Sequence, residues 1–290
     1  MLVKGSIVAL VTPFNENGTI NFEKLGELIE YHISHKTDAI LVLGTTGETP
    51  TLTHEEDDSV VKYAIEKANG QIPIYVGAGS NCTETQLTYC KKYQQMGADA
   101  LLIITPYYNK GNPEGIYQHF KHVADNIDIP VILYNVPGRT GCSIPYDVVE
   151  KLSKHPKVAA IKEASGNISY YNKVAKLVSD DFQMYSGNDD MVVPALSMGA
   201  SGVISVAANI IPEEMHNMVE SYLNGDVETS RNLQLKYLDL INALFIETNP
   251  IPIKEAMNQL GMNVGGYHLP LCEMSEANKK VLIEKLKVIE

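Results

Sequence analysis

The sequence predicts an α/β fold, a (β/α)8 TIM barrel with a C-terminal helical extension. Three observations lead there. Short apolar runs alternate along the chain with longer segments of helical period. Eight such pairs fit into about the first 220 residues, the count of this barrel, with no break in composition between them. The runs are continuously apolar instead of alternating, so both faces of each strand are covered, as in a parallel sheet.

The first run, Ile7-Val8-Ala9-Leu10-Val11, reads as a strand ended by Thr12-Pro13, and residues 22–33 follow with apolar positions at helical spacing. The second strand is 39–43, ended by Gly44, before a helix over 54–68. The third is 72–76, before a helix over 83–96. Strands over 100–104, 131–134 and 158–162 precede helices near 114–126, 146–152 and 169–178. A weaker seventh strand at 182–185 leads to a helix over 191–198, and the eighth strand is 202–206. Residues 211–223 supply the eighth barrel helix; 227–245, 253–260 and 276–288 are helical beyond it. The chain therefore divides into a catalytic barrel over 1–225 and an extension over 226–290. A doubly wound open sheet is the runner-up. That fold normally carries a glycine-rich phosphate turn after its first strand, where this chain has Thr12-Pro13-Phe14.

At 290 residues the chain can bury roughly three quarters of its unfolded surface. Hydrophobic residues make up 44% and charged residues 20%, which excludes global disorder. Lysine plus arginine is 23 and aspartate plus glutamate 35, a net charge of −12. So acidic a chain offers no general face to nucleic acid or to an anionic membrane. An anionic substrate has to be met by a few specific cations. The four cysteines, Cys82, Cys90, Cys142 and Cys272, have no CxxC pairing and no histidine at ligand spacing. No metal is expected from them; buried thiols in a reducing compartment are. The start of the chain lacks the pattern of a signal peptide, and no apolar run reaches the ~18 residues of a membrane span. A soluble, cytoplasmic protein is expected.

In such a barrel the reacting groups come from the C-terminal ends of the strands, and those positions are polar here. They read Gly44-Thr45-Thr46-Gly47-Glu48, Thr105-Pro106-Tyr107-Tyr108-Asn109, Tyr134-Asn135, Lys162-Glu163 and Ser186-Gly187-Asn188-Asp189-Asp190. Lys162 closes a strand of Val, Ala, Ala and Ile, so its amine projects from an apolar wall. Burying an ammonium there is costly unless it is paired or gives up its proton. A neutral lysine amine attacks a ketone and forms a Schiff base, an electron sink for carbanion chemistry. The bland alternative is an ion pair with Glu163 or Glu48. Tyr134 holds the matching position one strand earlier, where its hydroxyl faces the amine across the barrel as a proton shuttle; the alternative is a core tyrosine satisfied by a backbone group. Thr45 and Thr46, flanked by glycines, are small donors for a carboxylate, or an ordinary turn. Arg139 follows Pro137-Gly138 and presents a guanidinium for bidentate carboxylate binding, or a surface salt bridge. The Asn188-Asp189-Asp190 run is read as a solvated helix start and not as a cation site.

Four of these segments carry a resemblance that spans nearly the whole chain. Gly44-Thr45-Thr46-Gly47-Glu48, Pro106-Tyr107-Tyr108-Asn109, Tyr134-Asn135-Val136-Pro137-Gly138-Arg139-Thr140 and Ile161-Lys162-Glu163-Ala164-Ser165-Gly166 resemble the dihydrodipicolinate (4-hydroxy-tetrahydrodipicolinate) synthases, in order and spacing. These belong to the pyruvate-dependent class I aldolases. The resemblance implies condensation of pyruvate with L-aspartate 4-semialdehyde, the entry to diaminopimelate and lysine, with no metal and no organic cofactor. It implies that Lys162 forms the enamine with pyruvate. Thr46 and nearby amides hold the pyruvate carboxylate, and Thr45, Tyr134 and Tyr108 relay protons. Arg139 binds the carboxylate of the semialdehyde, and Gly187 and the Ile204 carbonyl line the pyruvate pocket. In the family the tyrosine matching Tyr108 crosses a subunit interface, which implies self-association, usually a homotetramer built as a dimer of dimers and in some members a dimer. The sialic-acid lyases of the superfamily lack the arginine that Arg139 matches. That residue argues against a sugar-acid aldolase, and the joint presence of Lys162, Tyr134, Thr45 and Tyr108 argues against a non-catalytic pyruvate-binding barrel.

The resemblance breaks at regulation. Lysine-inhibited members hold lysine in an interface cleft, and His54, Asn81 and Tyr107 match that pattern. Thr85 stands where those members carry a glutamate for the lysine ammonium, and Asp57 replaces a histidine. Losing that charge-assisted bond removes roughly 1.5–3 kcal/mol, so weak or absent lysine inhibition is expected.

Overall fold

A computed structural model describes residues 2–289. Eight parallel strands close in chain order, β1 to β8, with β1 paired to both β2 and β8. The repeating units are β1 (Gly5–Ala9) and α1 (Phe22–Ser34), β2 (Ala39–Val42) and α2 (His54–Ala68), β3 (Ile74–Gly77) and α3 (Thr83–Met96), β4 (Ala100–Ile104) and α4 (Pro113–Ala124). After β5 (Val131–Asn135) come the single turn α5 (Pro137–Thr140) and α6 (Tyr146–Leu152). Then follow β6 (Val158–Glu163) and α7 (Ile168–Ala175), β7 (Gln183–Ser186) and α8 (Val192–Ser197), β8 (Gly202–Ser205) and α9 (Pro212–Leu223). The chain ends in α10 (Val227–Ala243), α11 (Ile251–Gln259) and α12 (Glu276–Leu286). The predicted (β/α)8 barrel and its helical extension are therefore what the chain forms.

Strand parity sorts the side chains into two cores, as the two-residue period of a strand requires. Ile7, Ala9, Leu41, Leu102, Ile132, Tyr134, Ala160 and Ile204 fill the barrel interior. Val8, Ile40, Val42, Leu101, Leu133 and Ile161 face outward to the helices. The first strand begins two residues earlier than its apolar run, because the barrel seam needs glycine. Gly5 and Gly202 are opposite each other in the β1–β8 register, and a Cβ on Gly202 would lie 1.8 Å from the Gly5 carbonyl oxygen. Polar caps set several helix starts: Asn21, Asn112, Asn167 and Ser275 accept from the first turn, and Thr53 with Glu56 forms a capping box on α2.

Two expectations fail. Among the cysteines only Cys90 is buried; Cys82 and Cys272 are exposed and Cys142 lies between, since the latter three sit in loops. Asp189 is not at a solvated helix start. It is buried, and one of its carboxylate oxygens accepts from the amides of Val206 (2.9 Å) and Ala207 (3.0 Å), closing the turn after β8. No helix among the described residues is long and apolar enough to cross a membrane.

Candidate active site

The C-terminal ends of the strands open into a cavity of about 550 Å3. Gly44, Thr45, Leu102, Tyr134 and Arg139 line its barrel side, and His54, Asp57, Thr85, Tyr89 and Tyr107 its far side.

Lys162 and Tyr134 share the inward parity and are register partners on β6 and β5. They are neighbours on adjacent strands, not residues facing across the barrel, because consecutive strands of this fold hydrogen-bond side by side. The Lys162 Nζ stands 4.5 Å from the centroid of the Tyr134 ring. Lys162 is 6% exposed, and among the described residues it makes no ion pair. Glu163 points to the opposite face, where Asn135 Nδ2 and Ser165 N donate to its two oxygens, each at 2.7 Å. Burial raises the Glu163 carboxyl, with those hydrogen bonds opposing. Glu48 is occupied by a different lysine. Tyr134 is buried, yet its hydroxyl has no hydrogen-bond partner among the described residues; the bonds at this residue go to its carbonyl, which accepts from Thr105 N (3.1 Å) and Oγ1 (2.9 Å). The backbone-satisfied hydroxyl that a core tyrosine would show is not there.

Gly187 presses on the lysine stem. A Cβ at this position would lie 3.1 Å from Lys162 Cε and 2.6 Å from Ala164 Cβ. Its own amide donates to the Glu163 carbonyl at 2.7 Å. Ile204 sits buried at the end of β8.

Thr45 and Thr46 begin a 3-10 turn, Thr45–Gly47, capped by Gly44. The turn is tied to β1's exit by the Thr12 hydroxyl, which donates to the Gly47 carbonyl at 2.7 Å. It ends at Glu48, whose backbone is left-handed at φ 58°, an uncommon state for a non-glycine residue that its surroundings must hold in place. Those surroundings come from the C-terminal extension. Lys254 Nζ of α11 donates to Glu48 Oε1 at 2.7 Å and to the Thr12 carbonyl at 3.1 Å. The same ammonium lies 4.1 Å from the Phe14 ring centroid, and His268 N donates to the second Glu48 oxygen. Burial lowers Lys254, with the Glu48 charge opposing. Beside this pair, Asn249 Nδ2 donates to Thr46 Oγ1 at 3.0 Å. Arg139, exposed on α5, donates from Nη2 to the Asn249 carbonyl at 3.0 Å and makes no ion pair among the described residues.

Asn249 and Lys254 are site residues that sequence reasoning missed. The signal was slight: one lysine inside Ile251-Pro252-Ile253-Lys254, on a face that the helical period makes apolar.

On the far side His54 opens α2 and bonds the Tyr89 hydroxyl at 2.8 Å. Asn81 Nδ2 donates to the Tyr107 carbonyl at 3.2 Å. Asp57 is buried with its Oδ1 unpartnered. Burial, reinforced by Asp58 and Glu56 and opposed by Lys92, pushes its carboxyl up to about 7. Tyr108 stands apart from the cluster, 91% exposed and left-handed at φ 69°. No group of three or more His, Cys, Asp or Glu among the described residues is placed to hold a metal ion.

The family model for the dihydrodipicolinate synthetase family matches residues 2–289. The 4-hydroxy-tetrahydrodipicolinate synthase of Clostridium perfringens (strain SM101 / Type A) is 53% identical over 286 residues, covering 99% of this chain and 98% of that protein. The crystal structure of dihydrodipicolinate synthase from Aquifex aeolicus superposes with a TM-score of 0.95 at 44% identity, covering 98% of this chain and 97% of that one. A dihydrodipicolinate synthase variant described as monomeric superposes at 0.96 with 38% identity, over 99% and 96% of the two chains. Matched from end to end by the family model, and close to these proteins in both sequence and backbone, the chain belongs to the dihydrodipicolinate synthetase family.

Proposed function

We propose that this chain is a lyase that condenses pyruvate with L-aspartate 4-semialdehyde to 4-hydroxy-tetrahydrodipicolinate, the first committed step toward diaminopimelate and lysine. The observation that carries the reading is the Lys162 amine, buried with no carboxylate partner among the described residues and set on the Tyr134 ring below a mouth that holds Arg139.

The Lys162 amine attacks the pyruvate ketone, and loss of water from the carbinolamine leaves a Schiff base. Loss of a methyl proton gives the enamine, which attacks the aldehyde carbon. The amino group of the second substrate then displaces Lys162 by transimination and closes the ring, freeing the amine. Thr46 and neighbouring amides hold the pyruvate carboxylate, while Gly187 and the Ile204 carbonyl line its pocket. Thr45, Tyr134 and Tyr108 move the protons; the Tyr134 hydroxyl suits that task because no described residue competes for it. Arg139 takes the carboxylate of the semialdehyde, and this favours the short acidic aldehyde over a polyhydroxy sugar acid. The covalent link to Lys162 supplies the electron sink, so neither metal nor organic cofactor enters.

Tyr108 is an exposed aromatic in a strained backbone. We assign it to the site of a second copy in a homotetramer, a dimer of dimers, working in the cytoplasm without nucleic acid or membrane. The barrel over 1–225 and the extension over 226–290 form one catalytic unit. His54, Asn81 and Tyr107 line the regulatory cleft, where lysine inhibition is weak or absent. Thr85 brings no charge there, and Asp57, titrating near neutrality, brings only part of one.

Borohydride reduction in the presence of pyruvate, followed by peptide mass spectrometry, tests the reading. A reduced adduct on Lys162, lost in Lys162→Ala, is expected, with turnover of the semialdehyde and none of N-acetylneuraminate. No adduct, or one that survives Lys162→Ala, defeats the mechanism.

A further inference from the structure

We propose that Asn249 is a positioning residue that turns the Thr46 hydroxyl into an obligate donor and fastens Arg139, so that one residue of the C-terminal extension orders both carboxylate subsites. The inference rests on the function proposed above and deepens it. Asn249 lies buried between α10 and α11. A hydroxyl has one proton and two acceptor positions, and a carboxylate only accepts. To hold a carboxylate, Thr46 must donate. The Asn249 amide occupies an acceptor position of Thr46 Oγ1 at 3.0 Å, and no described residue takes the Thr46 proton. The hydroxyl is thereby left with its proton free for an incoming oxygen. The backbone carbonyl of the same residue accepts from Arg139 Nη2 at 3.0 Å. Four of the five guanidinium donors remain for a ligand. The side-chain Oδ1 of Asn249 is buried and has no hydrogen-bond partner among the described residues. Buried polar atoms of this kind are uncommon, and with the oxygen unpartnered the side chain meets its surroundings through its donor.

The two bonds are separable, because substitution removes the side-chain amide and leaves the backbone carbonyl. A cycle of Asn249→Ala, Thr46→Val and the double variant is measured by steady-state kinetics for each substrate. Asn249→Ala is expected to raise the pyruvate KM about 3- to 10-fold, the range of one lost hydrogen bond, with the semialdehyde KM within about twofold. The double variant should match Thr46→Val within about twofold, since a residue acting through another adds nothing once that other is gone. Effects that multiply in the double variant overturn the proposal. So do equal rises in both KM values, which a merely structural role would give. Should Asn249→Ala fail to fold, Asn249→Asp keeps the volume and removes the donor; a pyruvate KM within twofold of the parent then overturns the proposal. A parent enzyme that does not trap pyruvate on Lys162 refutes the function itself; a parent that traps it while the Asn249 variants behave as the parent refutes this assignment alone.

Discussion

Replacing Lys254 by Met should destabilise the protein well beyond an ordinary substitution. Methionine keeps an unbranched stem, and its thioether suits the Phe14 and Tyr267 rings that the ammonium now faces at 4.1 and 5.4 Å, so packing changes little. The charge is what is lost. Lys254 and Glu48 are 0% and 1% exposed, joined at 2.7 Å. Without the ammonium, Glu48 keeps one hydrogen bond from His268 N and is otherwise a buried carboxylate. Removing one partner of such a pair costs about 3–5 kcal/mol. With a midpoint shift of about 2–4 °C per kcal/mol in chains approaching this size, Tm should fall by about 6–20 °C. Glu48→Gln in the same chain neutralises the orphan and should restore at least half of that loss. Circular dichroism melts at fixed pH, scan rate and protein concentration measure both variants. Glu48 also ends the Thr45–Gly47 turn, so the pyruvate KM of Lys254→Met should rise at temperatures where the variant is still folded. A fall in Tm below about 3 °C, or a double variant no more stable than the single, refutes the reasoning.

Tyr134→Phe should lower kcat about 10²- to 10⁴-fold, the usual worth of a positioned proton-transfer group. Its Tm should stay within about 2 °C of the parent, because the hydroxyl bonds to no described residue; a large loss of Tm would identify the residue as structural. Asp57→Asn tests the strained acid of the far wall. Its folded carboxyl titrates near 7 against 3.8 normally, so the folded chain binds the proton more tightly than the unfolded one. Stability is then full at the acid end and declines as pH rises from about 4 through 7. Melts should show Asp57→Asn stabilising the protein at pH 8 and hardly at pH 4.5; equal gains at both would dismiss the burial argument. L-lysine should leave turnover unaffected below about 1 mM, and an inhibition constant under that value refutes the assignment of Thr85.

Most of the site was legible because its residues lie at strand ends, where a single short motif carries the geometry. Lys162 and Tyr134 each close an apolar run, and strand parity alone aims them inward. Arg139 and Gly187 sit a few residues beyond strand ends and were reachable in the same way. What could not be read was the partner of each charge. Glu48 looked free to meet Lys162, and only folding assigns it to Lys254, 206 residues later in the chain. Asp189 looked solvated because acidic runs usually are. The turn after β8 instead brings two amides to it.

The sequence by itself determined the barrel, its strand order and the inward placement of Lys162 at the end of β6. Those follow from local period and from the parity of one strand, and neither depends on distant segments. The tertiary structure alone decided that the extension packs onto the Thr45–Gly47 turn of the candidate site. Asn249 and Lys254 reach Thr46 and Glu48 by bonds across 203 and 206 residues, and no local pattern encodes a contact made only when α11 closes on the barrel mouth. The physical reason is that burial removes water as the default partner, so Glu48 and Thr46 take their partners from whichever segment the fold brings near.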